Sequence, residues 1–219
     1  MTRLFRDRTQ AGRLLADELK RYRHRENVLV LALPRGGVPV GFEVAQALHA
    51  PLDVFVVRKL GLPGHEELAM GAIASGGVRV LNEEVVNKLR ISETTIEAVA
   101  AKEKEELKRR ELLYRGHNVP PDIHRNTIIL VDDGIATGST MRAAIAAIKQ
   151  QKPARLVIAV PTGAPSSCAE IEPLVDELVC LMMPRDFYAV GQWYENFSQT
   201  SDEEVARLLE ESRHASMAV

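Results

Sequence analysis

The stretch Ile128–Met141, IILVDDGIATGSTM, decides the reading of this chain. Ile128 to Val131 form an apolar run without alternation, as expected of a strand covered on both faces. Two adjacent acids, Asp132 and Asp133, end the run, and a loop of small residues leads into a helical pattern. Ala136, Thr137, Gly138, Ser139 and Thr140 therefore stand where a strand hands over to a helix N-terminus. Backbone N–H groups there have no intrahelical partner, and the helix dipole adds positive potential. Gly138 lets the backbone come close to a ligand, and three hydroxyls supply further donors, so a phosphate monoester fits. The dipole contributes only ~0.3–1 kcal/mol at exposed sites, so several N–H and hydroxyl bonds must act together. The two carboxylates can accept hydrogen bonds from a vicinal diol, as on a ribose ring. A capped turn explains Asp-Gly alone, but not two acids followed by T-G-S-T. The P-loop of nucleoside triphosphatases is excluded because its lysine is missing.

Outward from this stretch, short apolar runs alternate with helical patterns, the mark of an α/β chain with a mainly parallel sheet. The expected strands are Asn27–Leu33, Asp53–Lys59, Thr127–Asp133, Arg155–Pro161 and Glu177–Met183, with Gly77–Leu81 a weaker one. Helices are expected over Thr9–Arg23, Val38–His49, Ser139–Gln150, Pro165–Leu174 and Ser201–Arg213. The last opens with Ser201 and Glu204 at capping-box spacing. Residues 82–116 read as a short helix and a long charged one, broken near Ile91–Ser92. Their place between strands predicts a helical insertion outside the central layer. The charges in KEKEELKRRE alternate in sign, as on a solvated helix face rather than a nucleic-acid patch.

Three further segments carry chemistry. Leu33–Gly41, LPRGGVPVG, follows the first strand. Gly36 and Gly37 open backbone N–H groups there, and Arg35 adds a permanently charged multidentate donor, a combination suited to pyrophosphate. A βα turn that needs glycine for tight packing is the plainer alternative. Val57–Gly71, VRKLGLPGHEELAMG, holds Gly61, Pro63 and Gly64, as expected of a mobile lid. Glu66 and Glu67 read as solvated loop acids or as bases or metal ligands, and His65 as exposed. Pro184–Phe197, PRDFYAVGQWYENF, concentrates aromatics in a tail over about 184–200. Phe187, Tyr188 and Trp193 offer a stacking platform for a flat acceptor, or a cluster that seals the end of the sheet.

The 219 residues suffice for one domain with a buried core. A net charge of -2 gives no electrostatic reason to expect nucleic acid or a membrane surface as partner. Cys168 and Cys180 make neither a disulfide framework nor a metal-spacing pattern, so each is expected to act as a small apolar residue. No apolar run approaches the ~18–20 residues of a membrane span, and no apolar stretch follows Arg3, Arg6, Asp7 and Arg8 as in a secretion signal. A cytoplasmic location is the expectation.

V-D-D-G-I-A-T-G-S-T resembles the signature of type I phosphoribosyltransferases, and the likeness extends over roughly Val28 to Phe197. With LPRGG and RKLGLPG, the pattern is similar to the group described as predicted phosphoribosyltransferases rather than to a named purine or pyrimidine enzyme. The resemblance implies a single domain over 1–219 with a mainly parallel sheet flanked by helices, a helical insertion and a small C-terminal hood. It also implies transfer of a phosphoribosyl group from 5-phosphoribosyl-1-pyrophosphate to a nitrogenous acceptor, with Mg2+. Asp132 and Asp133 would hold the ribose hydroxyls, Ala136 to Thr140 the 5′-phosphate, and Arg35, Gly36 and Gly37 the leaving pyrophosphate. R-K-x-G-x-P resembles the flexible catalytic loop of adenine phosphoribosyltransferases, which assigns Arg58 and Lys59 to the pyrophosphate or its magnesium shell. The catalytic set implied is Arg35, Arg58, Lys59 and Asp133, with magnesium held mainly by the donor and Asp132 as a candidate ligand. The 6-oxopurine enzymes carry an Asp just before T-G, whereas this chain has Ala136, as adenine and uracil enzymes do. Homodimers are common in the family resembled. Two other readings stay open: a non-catalytic sensor of the donor or a nucleotide, and a phosphatase with Asp132 or Asp133 as nucleophile.

Overall fold

The computed structural model describes residues 4–217, without the side chains of Glu66 and Glu67 or of residues 216–217. Five strands build a wholly parallel sheet: β1 (Val28–Ala32), β2 (Leu52–Val54), β6 (Thr127–Val131), β7 (Arg155–Thr162) and β8 (Glu177–Met182). Their order is β2-β1-β6-β7-β8. The uninterrupted apolar runs follow from burial on both faces. Val28, Val30, Ala32, Ile129, Val131, Val157 and Ala159 face one side. There they meet helices α1 (Arg8–Glu18), α2 (Gly37–Leu48), α4 (Glu93–Arg115) and α7 (Asp202–Met217). Leu29, Leu31, Ile128, Leu130, Leu156, Ile158 and Val160 face the other, under α5 (Ser139–Gln150) and α6 (Pro165–Ile171). The sheet is the central layer that the sequence pattern and the resemblance predict. Among the described residues, no helix is long and apolar enough to cross a membrane.

The expected single strand Asp53–Lys59 is two strands. β2 ends at Val54, and after the buried Phe55 and Val56 the chain enters a second, antiparallel sheet of β3 (Val57–Leu62), β4 (His65–Ala74) and β5 (Val78–Leu81). The apolar run is continuous because both cores bury it, so the sequence carries no mark of the change of sheet. The segment Val57–Gly71, expected as a lid, lies in the same small sheet. It is the β3–β4 hairpin, turning at Pro63–Gly64, where Gly64 has φ of +80°. Residues 82–116 are helical, as α3 (Glu83–Lys88) and α4, with Ser92 capping α4 through the Thr95 amide. Yet α4 is no outlying insertion: Ile96, Ala100, Leu107 and Tyr114 enter the main core.

Candidate active site

Strand order places the site. β1 leads to β2 on one side and β6 to β7 on the other, so the order reverses between β1 and β6. A crevice opens beyond the C-terminal ends of strands at such a point. Ala32 and Val131 are in register across β1 and β6, so the loops that follow start side by side. The Leu33 amide donates to the Val131 carbonyl at 2.9 Å, which sets the two loops against each other.

In the first loop the Pro34–Arg35 peptide is cis. Gly36 lies directly on the Asp133 carboxylate, and any side chain there would overlap it. A Cβ on Gly37 would come within 2.8 Å of the Val131 carbonyl and 2.9 Å of the Asp132 Cα. The glycine pair thus allows the two loops to touch, the tight packing that the sequence offered as the alternative to ligand contact. Arg35 points from this loop toward the start of α7, with Nη1 3.7 Å from Asp202 Oδ1. Tyr114 holds the same carboxylate with a 2.6 Å hydrogen bond.

The acid pair is asymmetric. Asp133 Oδ2 accepts from Arg8 Nε at 2.9 Å and pairs with Nη2 at 2.8 Å, both side chains being largely buried. Burial pushes its carboxyl above the usual range, and the Arg8 charge opposes the shift. Among the described residues no cation lies within bonding distance of Asp132; its Oδ1 accepts from the Asp133 amide at 2.8 Å. Burial first, and the Asp133 charge second, push the Asp132 carboxyl well above the carboxylate range. Raised acids at the ends of sheet strands make this pair a candidate functional site.

The phosphate loop follows at once. Gly138, at φ of +70°, is the N-cap of α5, and Ala136, Thr137 and Thr140 are exposed around it. The Ser167 hydroxyl on α6 donates to the Ala136 carbonyl at 2.6 Å and fixes the outer side of the loop. Arg142, one turn into α5, brings Nη1 to 3.0 Å from where a Gly138 Cβ would lie. Its partner is Glu170 on α6 at 2.8 Å.

The hairpin residues divide. Arg58 is ion-paired with Glu103 of α4 at 2.7 Å, so its guanidinium is tied to that helix. Lys59 is exposed and lines a cleft of about 580 Å³ with Ser139, Arg142, Asn82 and Glu83. His65 is exposed near the hairpin turn, and the Glu66 and Glu67 side chains lie outside the described residues.

The aromatic tail is a hood whose other half is the N-terminal segment. The Phe5 amide donates to the Trp193 carbonyl at 2.9 Å, and the Glu195 and Asn196 amides donate to Phe5 and Arg6 carbonyls. Trp193 is buried against Phe5 and Tyr194 and stacks on Phe187 at 6.2 Å, so its ring belongs to this cluster. Tyr188 is 85% exposed. The hood touches the acid pair: the Tyr194 hydroxyl donates to the Asp133 carbonyl at 2.6 Å, and Val190 covers Gly134. Arg8 completes the clasp, stacked 3.9 Å over Phe197 and donating to the Ser198 carbonyl at 2.7 Å. The sequence reading missed Arg8, Tyr194 and Arg142. Arg142 stands two residues beyond the quoted hydroxyls, where a cation beside an anion loop was visible. Arg8 is 125 residues from its partner and carries no local signal.

Comparison with known proteins gives the same answer by another route. The crystal structure of TT1426 from Thermus thermophilus is 40% identical and superposes with a TM-score of 0.85, covering 95% of this chain and 98% of that one. A Neisseria gonorrhoeae protein crystallised with bound ppGpp shares the fold at a TM-score of 0.52 and 12% identity, covering 97% and 99% of the two chains. A Mycobacterium tuberculosis protein named "Putative phosphoribosyl transferase Rv0571c" is 49% identical over 209 residues, 95% of this chain and 47% of its own length. This chain therefore spans about half the length of the curated relatives it matches. The family pattern for the phosphoribosyl transferase domain matches residues 6–195. The chain belongs to the phosphoribosyl transferase domain family.

Proposed function

We propose that this chain binds 5-phosphoribosyl-1-pyrophosphate together with magnesium and transfers its phosphoribosyl group to a nitrogen nucleophile, releasing pyrophosphate. One observation carries the reading: the Gly36–Gly37 loop lies against the acid pair at the switch point of the sheet, and the N-terminus of α5 follows that pair within a few residues. A ribose with a phosphate at one end and a pyrophosphate at the other needs those three partners in that order.

In this scheme Asp132 and Asp133 accept from the ribose hydroxyls, and the loop from Ala136 to Thr140 holds the 5′-phosphate. The amides of Gly36 and Gly37 with the Arg35 guanidinium take the pyrophosphate. Among the described residues Arg35 pairs only with Asp202, 3.7 Å away, so it is available to a more strongly charged ligand. As the glycosidic bond lengthens, positive charge grows on the ribose and negative charge on the pyrophosphate, and these groups stabilise the latter. Magnesium, when bound, would neutralise leaving-group charge. The donor set fits an ion brought by the substrate: among the described residues no three acids, histidines or cysteines converge on one point. A cation at Asp132 would depend on phosphate oxygens for the rest of its shell.

Calorimetry with 5-phosphoribosyl-1-pyrophosphate, with and without magnesium, tests the reading. Magnesium-dependent binding is the expected result; no binding at millimolar donor sinks it. The Arg58–Glu103 pair favours a second reading, a binder without catalysis, since it withholds one expected pyrophosphate contact. Donor binding with no pyrophosphate release for any base tried would select it.

The Arg142–Glu170 pair gives a graded prediction. Glu170 is 63% exposed, and such pairs contribute ~0–1 kcal/mol. Glu170→Gln should free Arg142 and tighten ribose 5-phosphate about two- to fivefold. Arg142→Gln should weaken it roughly tenfold or more, the loss of a charged hydrogen bond. Equal affinities in both variants would remove Arg142 from the site.

A further inference from the structure

We propose that Cys168 and Cys180 form a dithiol modification site, which a peroxide converts to a disulfide that loosens the phosphate loop. The chain holds only these two cysteines, and the fold brings them together from different elements. Cys168 lies in α6 and Cys180 on the edge strand β8. Both sulfurs lie within 3.4 Å of the point where a Gly163 Cβ would be, so the bare glycine leaves the space in which they meet. Cys180 Sγ donates to the Met182 carbonyl at 3.2 Å, beside the Cys168 sulfur. The neighbouring sulfur holds the Cys168 thiol below the usual thiol range, and the same neighbour together with burial pushes the Cys180 thiol up. Cys168 is therefore the better nucleophile. It is buried, while Cys180 is half-buried at the sheet edge and offers a small oxidant its way in.

The chemistry balances with one peroxide. The Cys168 thiolate attacks one peroxide oxygen, the O–O bond breaks, and the other oxygen leaves as water after taking a proton. Cys168 is then a sulfenic acid. The Cys180 sulfur attacks it, the S–S bond forms, the S–O bond breaks, and the oxygen leaves with the Cys180 proton as a second water. Two thiols have lost two electrons and two protons.

The consequence lies one residue away. Ser167 anchors the Ala136 carbonyl. Its Cβ and Ile171 Cδ1 stand 3.5 and 3.2 Å from where a Gly138 Cβ would lie. A disulfide sets its sulfurs about 2.05 Å apart, closer than any non-bonded pair of sulfurs. Closing it shifts α6 beside Ser167, and with it the Ser167 and Ile171 contacts that hold the loop.

The test treats the full chain with hydrogen peroxide and follows it by peptide mass and by calorimetry with ribose 5-phosphate. A Cys168–Cys180 cross-linked peptide is expected, with affinity down about tenfold and restored by dithiothreitol. Cys180→Ser, equally treated, should keep the affinity of the reduced protein. Sulfenic or sulfinic products without a cross-link overturn the proposal, as does a cross-link that leaves affinity unchanged. Should the reduced protein not bind ribose 5-phosphate at all, the phosphate-loop reading fails separately. Hydrogen exchange then decides the dithiol: cross-linking must speed exchange at residues 136–140, and unchanged exchange overturns it.

Discussion

Asp132→Asn is expected to raise the melting temperature of the ligand-free protein at pH 7 while weakening donor binding roughly 10- to 100-fold. Asparagine keeps the Oδ1 that accepts from the Asp133 amide and deletes a charge that burial and Asp133 both oppose. The sign follows from linkage. A carboxyl raised in the folded state holds its proton more tightly there than in the unfolded chain. Stability therefore falls as pH rises from the unfolded value, about 3.9, through the folded one. The variant does not titrate at this position, so its advantage should grow along that climb and shrink toward acid pH. A gain on the order of 1 kcal/mol would appear as roughly 2–4 °C in a chain of this size. The affinity loss corresponds to a hydrogen bond to a charged group, about 1.5–3 kcal/mol.

Asp133→Asn should do the opposite to stability, because it strands the largely buried Arg8 guanidinium. A loss of about 1–3 kcal/mol is expected for that unpaired donor. Thermal melts of the two variants from pH 4 to 8 check both statements. If Asp132→Asn melts lower than the parent at pH 7, its acid serves the fold and not a ligand. Adjacent acids in one motif thus separate into a buried group without a paired cation among the described residues, proposed to serve binding, and a compensated one that also joins the hood to the sheet.

The parts of this design that were legible in the sequence are those written in consecutive residues. Val28–Ala32, Thr127–Val131 and Arg155–Thr162 read as strands because burial on both faces removes alternation. The loop from Asp132 to Thr140 was legible as a strand-to-helix turn because two acids, a glycine and hydroxyls follow an apolar run directly. What was not legible depended on distance or direction. Gly61, Pro63 and Gly64 read as a lid, and only the fold shows that Pro63–Gly64 makes a hairpin turn while Gly61 sits in β3 at a register shift. Arg58 sits at a motif position, but its direction is fixed by Glu103, 45 residues on. Trp193 carries the composition of a stacking platform, and only packing against Phe5 and Tyr194 shows which way it faces. The two cysteines, blandly apolar in sequence, meet only because β8 and α6 converge on Gly163.

The second large effect is on the fold. Arg115→Met should lower stability by about 3–5 kcal/mol, the usual result of removing one partner of a buried ion pair. Arg115 and Asp53 side chains are 5% and 8% exposed, with Nε 2.8 Å from Oδ2. The guanidinium also donates to the Val54 carbonyl at 3.1 Å and reaches Glu111 at 3.3 Å. Burial still holds the Asp53 carboxyl above its usual range despite that charge, so without Arg115 the buried acid keeps the Val54 amide but loses its paired cation. Against a total of about 5–15 kcal/mol, the loss corresponds to roughly 6–20 °C. It should be largest at neutral pH and shrink as acid protonates Asp53. Asp53→Leu combined with Arg115→Met should recover most of it, because an apolar pair needs no partner. The pair also bears on the site. It fixes the last turn of α4 to β2, next to Tyr114, which holds the Asp202 carboxylate that faces Arg35. A double variant that regains stability yet binds the donor as the parent does would show that this helix end supports the fold alone. One that regains stability but binds more weakly would show that Arg35 takes its position from it.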